Sequence, residues 1–511
     1  MATLASRILG MVREIVYARF MGDGLVASAF VLAFQIPNLF RRLLGEGALS
    51  AAFIPIFKQK EREEGPETTW RAANAVVCGL ILAAGVIVVL MMIGVTIALA
   101  FWALTFKERL MLELLRMMFP YMLLACITAV FMGMLNARGH FFIPAIGPIN
   151  LNIIMIGSVF LLAPRFGTGV EEQIFGLAVG VLIAGVVQAA FQMPQLHREG
   201  YRFEWVNPFE DPTVRKVVQR MLPGMVGVAA FQLNVVLTSI FAFGADENVV
   251  ASFNYAVRVM ELPQGVFGIS MATYLLTTLS GLAAEENYTE FKAHLKDGTY
   301  HVVFLNLLAT ILLVVCAEPI IRLLFERNAF TPESTERASR ALMAMAPGLI
   351  SFSLVNIFAR AFFALGDTTT PMRISVAALM LNLIFVYFLV MPFKGVGLGI
   401  ANTLSSLFNL YLLFYALRRK FPKLRFDELP GLLWRLTACA GTAGLIAWGL
   451  VHWWTVKLGH ANLLFKLGEV FVPLTVATVA YLGLALALKV PAAKEILKLV
   501  RPGKKVAEAV A

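Results

Sequence analysis

The amino-acid sequence predicts an all-α polytopic membrane protein of about fourteen transmembrane helices, arranged as two parallel six-helix lobes and two extra C-terminal helices. Three observations carry this expectation. The 511 residues are 59% hydrophobic and 15% charged, with a mean hydropathy of +0.78, against about 25% charged in soluble domains. Apolar stretches of roughly 18 residues or more, long enough to cross a bilayer, recur from one end to the other. The two halves of the chain also repeat each other in order.

The spans lie near 2–21, 25–44, 72–103, 110–136, 141–163, 174–196, 217–243, 248–281, 299–324, 338–365, 371–392, 395–417, 431–454 and 463–488. Several exceed the ~20 residues that a bilayer needs, so tilt or extension beyond the hydrocarbon is expected. Residues 46–62 either extend the second span or form an interfacial helix before the KQKEREE run. The first span carries four charges and no small-residue cleavage site, so it is not read as a cleavable signal.

Lysine and arginine bias sets the orientation. Loops after even-numbered spans are basic: Lys58, Lys60, Arg62 and Arg71, then Arg198, Arg202, Arg215, Lys216 and Arg220, then Arg418, Arg419 and Lys420. The opposite loops, such as Gly22-Asp23-Gly24 and Gly244-Ala245-Asp246, are short and poor in charge, except near 322–340. Both termini are therefore expected in the cytoplasm.

The repeat is read from ordered matches. Gly22…Ala27-Ser28-x-Phe30…Pro37 echoes Gly244…Ala251-Ser252-Phe253…Pro263. Pro120 opens a span that ends LNARGHFFIP at Pro144, and Pro347 opens one that ends FALGDTTTP at Pro371, at an identical interval. FGLAVG at 175–180 resembles VGLGIA at 396–401. An even number of spans per half makes the repeats parallel, as in transporters that rock two halves about a substrate. The expected division is 1–198 and 212–421 for the lobes, 428–490 for the extra pair and 491–511 for a basic tail.

Charges inside the spans carry the functional expectation. The first span holds Arg7, Arg13, Glu14 and Arg19, and the second ends in Asn38-Leu39-Phe40-Arg41-Arg42. An arginine at membrane depth costs roughly 2.5–3.5 kcal/mol on insertion scales, so it usually faces a wet cavity and marks a function. A cavity between the lobes lined by Arg7, Arg13, Arg41, Arg42 and Arg258 would take an anion, most naturally a phosphate or diphosphate, which guanidinium binds bidentately. Bland readings stand beside this one. Arg19 and Arg42 sit near span ends, where long side chains snorkel. Arg7 and Arg13 are six residues apart, about 120° in direction. Glu14 and Glu261 fit as counter-ions to Arg13 and Arg258. Arg360 fits a structural pairing, and Glu46, between two glycines, caps or gates a helix break.

Other chemistry is sparse. There is no GxxxxGK[ST] phosphate loop, the six histidines lack metal spacing, and the four single cysteines indicate neither disulfide nor metal site. Carboxylates for catalysis are nearly missing from the spans. The net charge of +11 is spread over short loops, which argues against nucleic acid. No cofactor is indicated; coupling to an ion or to the membrane potential stays open.

SRILGMVREIVYARFMG, FQIPNLFRRLLGEGALSAAFIPIF and YAVRVMELPQGVFGISMAT resemble the signature stretches of the MurJ/MviN family. These are lipid II flippases of the multidrug/oligosaccharidyl-lipid/polysaccharide exporter superfamily. The resemblance covers nearly the whole chain. It implies a non-enzymatic transporter of the bacterial inner membrane that carries the undecaprenyl-diphosphate-linked peptidoglycan precursor to the outer leaflet by alternating access. Its partners would be lipid II, membrane lipids and cell-wall synthases. By position, Ser6, Arg7, Arg13 and Glu14 match the first-span motif, Arg41 and Arg42 the arginine pair, and Arg258 and Glu261 the seventh–eighth span region. The last two helices would hold the polyprenyl tail. Ser28 stands where many members have aspartate. The regions of a sodium site proposed in some members offer Asn234 and Asn382 but no carboxylate, so sodium coupling is poorly supported. The alternatives are an exporter of another polyprenyl-linked saccharide, a multidrug exporter, which would want acidic cavity residues, and a scaffold for cell-wall enzymes.

Overall fold

The computed structural model describes residues 2–44, 48–422, 426 and 428–500, and every regular element among them is helical. The chain forms two compact units. The first comprises Met1–Ala251 with Arg327–Thr331, the second Ser252–Glu326 with Pro332–Ala511.

The first unit contains α1 (Ala2–Met21), α2 (Leu25–Leu44), α3 (Ala48–Glu64), α4 (Pro66–Phe101), α5 (Phe106–Met118), α6 (Tyr121–Ala137), α7 (Phe142–Leu161), α8 (Val170–Arg198), α9 (Pro212–Ala245) and the start of α10 (Val249–Pro263). Local chemistry sets several of these ends. Pro66 and Pro212 occupy first helical positions, where the missing N–H has no partner to lose. A capping box joins Thr105 and Glu108 at α5. Pro120 has no N–H to continue α5, so the predicted fourth span is two helices, α5 and α6. Leu49, Phe53 and Phe57 of α3 are buried in one cluster with Trp70, Phe131, Met134 and Tyr201. Residues 48–64 are thus a separate amphipathic helix rather than an extension of the second span.

The rest of α10, a π-helical turn (Gln264–Ile269) and α11 (Ser270–Ala284) open the second unit. They are followed by α12 (Tyr288–Val315), α13 (Ala317–Phe325), α14 (Pro332–Met345), α15 (Gly348–Ala364), α16 (Thr369–Lys420), α17 (Leu429–Lys457), α18 (Leu463–Ala487) and α19 (Pro491–Val500). Phe304, Leu312, Phe358 and Phe362 pack in one core with Leu436, Ala443 and Tyr481, so α17 and α18 are built onto this unit. The Tyr481 hydroxyl donates to the Phe304 carbonyl at 2.9 Å.

α16 holds two predicted spans. Lys394 has φ +50° inside it, where two helices meet across a kink. The Ser405 hydroxyl lies 3.1 Å from Asn382 Oδ1, although 23 residues of straight helix would separate them by about 35 Å. The two arms therefore fold back as a hairpin. Gly397 sits at the bend, where a Cβ would come within 2.0 Å of the Leu389 carbonyl oxygen.

Nine helices among the described residues are long and apolar enough to cross a membrane, ten with the bent pair α14–α15 counted as one span. Fourteen adds α1, α2 and α9 to these and counts α16 twice. The packing division also falls elsewhere than the repeat division, because α9 packs against α2, α3 and α4 in the first unit. Repeat and packing divide the chain by different criteria: one follows matched residues, the other which faces bury each other.

Each unit shows the same local construction at its Gly-containing break. Gly139 (φ +85°) ends α6 and Gly366 (φ +75°) ends α15, both in the left-handed region that glycine adopts without penalty. Pro144 and Pro371 then sit in the first turns of α7 and α16. In the first unit Arg138 and His140 reach Glu199 at the end of α8, at 3.9 and 2.7 Å, and Arg138 also binds Glu61 at 2.6 Å. In the second, Asp367 binds Lys420 at the end of α16 at 2.6 Å. The link recurs with its charges exchanged.

Candidate anion site in the spans

Arg13 lies on α1 beside an aromatic ladder that runs through α2 to α6. Tyr17 packs edge-on against Phe30 at 5.8 Å, Phe30 stacks on Phe34 at 6.4 Å, and Phe34 meets Tyr121 at 5.8 Å. The Arg13 guanidinium is 5.6 Å from the Tyr17 ring centre and donates to Glu14 Oε1 at 2.5 Å. Its side chain is 13% exposed and its Nε is buried without a protein acceptor. One donor of the fork is thus unspent.

Elsewhere on this unit, Arg41 Nε donates to Asn38 Oδ1 at 2.8 Å, one turn back along α2. Arg42 Nη1 reaches Gln232 Oε1 on α9 at 3.3 Å, so this half-buried arginine bonds between helices rather than only extending outward. Arg7 and Arg19 are exposed and Ser6 is half-buried, its carbonyl accepting from Asn152 Nδ2 at 3.3 Å. Ser28 is fully buried, and its hydroxyl accepts the Ala251 N–H at 3.2 Å, which ties α2 to the start of α10. Glu46 lies outside the described residues.

In the second unit Arg258 Nη1 donates to Glu261 Oε2 at 2.9 Å, the i, i+3 pair expected on one helix face. These side chains are 34% and 51% exposed, so the pair is weak, worth about 0.3–0.5 kcal/mol. Arg360 is half-buried over the Phe363 ring at 5.7 Å, with no ion-pair partner among the described residues; a π face replaces the expected counter-ion. Asn234 Oδ1 accepts from Thr238 at 3.3 Å and Asn382 Oδ1 from Ser405.

One buried ionic cluster escaped sequence reasoning. Glu469 of α18 is 1% exposed and binds Arg322 of α13 at 2.8 Å. Arg322 also contacts Glu318 and Glu326, and Lys466 reaches Glu326 at 3.2 Å. The available signal was a lone carboxylate in an apolar span, which must be paired. Of the basic residues near 322–340, Arg322 belongs to this cluster, whereas Arg340 pairs separately with Glu336 on the surface of α14.

These features define a polytopic α-helical membrane protein that holds guanidinium groups inside its spans. A family model described as "Lipid II flippase MurJ" matches residues 17–467, including Arg41, Arg42, Arg258 and Arg360. The chain belongs to the lipid II flippase MurJ family. A relative from Vibrio cholerae, named a probable lipid II flippase MurJ, is 34% identical over 81% of each chain. One of the same name from Bdellovibrio bacteriovorus is 31% identical over 95% of this chain and 92% of its own. Among solved structures, a lipid II flippase MurJ in an inward closed conformation matches with a TM-score of 0.78 at 22% identity, covering 95% of this chain and 98% of that one. An inward-facing MATE family multidrug transporter matches with a TM-score of 0.67 at 15% identity, over 82% and 96%. Both likenesses concern the fold.

Proposed function

We propose that this chain flips lipid II, the undecaprenyl-diphosphate-linked peptidoglycan precursor, from the cytoplasmic to the outer leaflet of the bacterial inner membrane by alternating access, as a transporter without enzymatic chemistry. Membership of the MurJ family over 17–467 is the observation that carries the reading. The chemistry of the spans agrees with it. The anionic diphosphate must cross ~30 Å of hydrocarbon, and loss of its hydration is the main barrier. Fixed guanidinium groups replace that hydration, with Arg13 and Arg258 as the principal ligands and Arg7, Arg41 and Arg42 as further cations. A multidrug exporter of cations would want carboxylates in these places.

Both termini are placed in the cytoplasm, on the support of the basic loops. An interior-negative membrane potential would favour outward movement of the anion by about 2.3 kcal/mol per charge per 100 mV. Cell-wall synthases, which consume the precursor on the outer side, are expected partners. Depleting the protein and measuring which leaflet holds the lipid-linked precursor tests the proposal. Accumulation in the inner leaflet is expected; an unchanged distribution would remove it.

A further inference from the structure

The connection between α8 and α9 has no regular structure, yet it is laid along α4 residue by residue. Asn74, buried on α4, donates to the Arg202 carbonyl at 2.8 Å. Cys78, one turn on, points its thiol at the Glu204 carbonyl at 3.9 Å. A Cβ on Gly79 would lie 3.2 Å from Pro208, so glycine admits the connection at this point. Tyr201 is fully buried against Trp70 and Phe131, at 5.5 and 5.9 Å, and fixes one end. Asp211 caps α9 at the other by accepting the Thr213 N–H at 2.8 Å. A segment held this firmly nevertheless exposes three large rings: Phe203 at 48%, Trp205 at 60% and Phe209 at 88%.

The level of those rings follows from α4. Its outward apolar stripe begins at Leu82, continues through Val86, Val89, Leu90, Ile93 and Ile97, and ends at Phe101 and Trp102. Leu82 to Phe101 is nineteen residues of rise, about 28 Å, which matches the ~30 Å hydrocarbon thickness. Residues 69–78 of α4, by contrast, are mostly covered by protein. The connection meets α4 at Cys78 and Gly79, about one turn outside the start of the stripe, where headgroups meet acyl chains. Tryptophan is enriched at this level, and phenylalanine rings on an interfacial segment bury themselves at the headgroup–acyl boundary.

We propose that Phe203, Trp205 and Phe209 are a membrane-interface anchor, seated at the headgroup–acyl boundary beside α4. The occupant is the bilayer itself, because the rings continue the apolar stripe of a spanning helix. Ring burial rather than charge drives the contact. Between Arg198 and Arg220 five basic residues are offset by four acidic ones (Glu199, Glu204, Glu210 and Asp211), so anionic lipid gives little net attraction. The anchor does not depend on what the protein transports.

The test uses the full-length chain in lipid nanodiscs with Trp205→Cys carrying a polarity-sensitive fluorophore. The wild-type chain, whose four cysteines are buried, serves as the labelling blank. Nitroxide lipids labelled near the headgroup should quench the probe about twofold more than lipids labelled at the acyl terminus, as expected for a shallow seat. Aqueous iodide should quench it far less than the same probe at the exposed Glu63→Cys position of α3. Replacing Phe203 and Phe209 with serine should weaken the lipid quenching while thermal unfolding stays near that of the parent. Iodide quenching equal to that at Glu63→Cys, with none from lipid, would overturn the proposal and leave the rings as a protein-docking patch. Quenching that appears only when phosphatidylglycerol joins phosphatidylcholine would overturn it too, in favour of charge.

Discussion

Arg258 and Arg13 separate two roles that look alike on paper. Both donate to a glutamate, at 2.9 and 2.5 Å, so each serves either its counter-ion or a ligand. The half-exposed Arg258–Glu261 pair adds little to folding, so Arg258→Ala should leave folded protein and weaken diphosphate-lipid binding about tenfold, one charge-assisted hydrogen bond being worth roughly 1.5–3 kcal/mol. Arg258→Lys keeps the charge but loses the bidentate fork and should fall between. Yield of folded protein and lipid affinity, measured on the same preparations, decide the matter: less protein at unchanged affinity would make the arginine structural. Arg322 and Glu469 should behave oppositely. Breaking a buried pair costs about 3–5 kcal/mol, whereas replacing both partners with apolar residues is often neutral. Arg322→Met alone should therefore lower the melting temperature sharply, because it strands the buried Glu469 carboxylate, and Glu469→Leu added to it should restore much of the loss. A double variant no better than the single one would show that the pair does not act as a unit. Glu469 could not be placed from sequence because its partner lies 147 residues away and no local pattern joins them.

At the level of elements, proline spacing made the repeat readable, although the expected spans 110–136 and 338–365 ran through the breaks at Pro120 and Pro347. The pairs Pro120/Pro144 and Pro347/Pro371 mark the bend before α6 and α15 and the first turns of α7 and α16. What spacing could not show was the contact made across each break, since the ionic link changes sign between the halves and so leaves no matching residues. The second of these links has a pH signature. Burial raises the Asp367 carboxyl, but the hydrogen bonds from Lys420 and Thr370 and the Lys420 charge outweigh it and lower the pKa to about 2. A depressed carboxylate contributes stability above its unfolded pKa of about 3.9, and loses it as pH falls through the folded value. The melting-temperature advantage of the wild type over Asp367→Asn should thus be constant above about pH 4 and vanish near pH 2, with a size under about 1 kcal/mol because the pair is near the surface. An advantage that grows on acidification would contradict this assignment.

For the whole molecule, composition and repeated apolar length were enough to read an all-α membrane protein, because bilayer thickness imposes one length on every span. The placement of α9 was not readable, since an apolar helix face does not state which neighbour it covers. In the first unit the turns beside Gly24 and Asn248 approach closely: a Cβ on Gly24 would lie 4.0 Å from Asn248 Oδ1. The Ala329 N–H also donates to the Arg19 carbonyl at 3.3 Å, closing the same end. The repeat division, unlike the packing division, assigns these turns to different halves, and the proposed alternating access of the halves would part them once in every cycle. The deciding measurement is lipid II flipping in proteoliposomes by a Gly24→Cys/Asn248→Cys chain, before and after joining the thiols by oxidation or a short bifunctional reagent. The reduced protein should flip, the joined protein should stop, and reduction should restore the rate. Undiminished flipping by fully joined protein, or none by the reduced form beside an active wild type, would contradict the account.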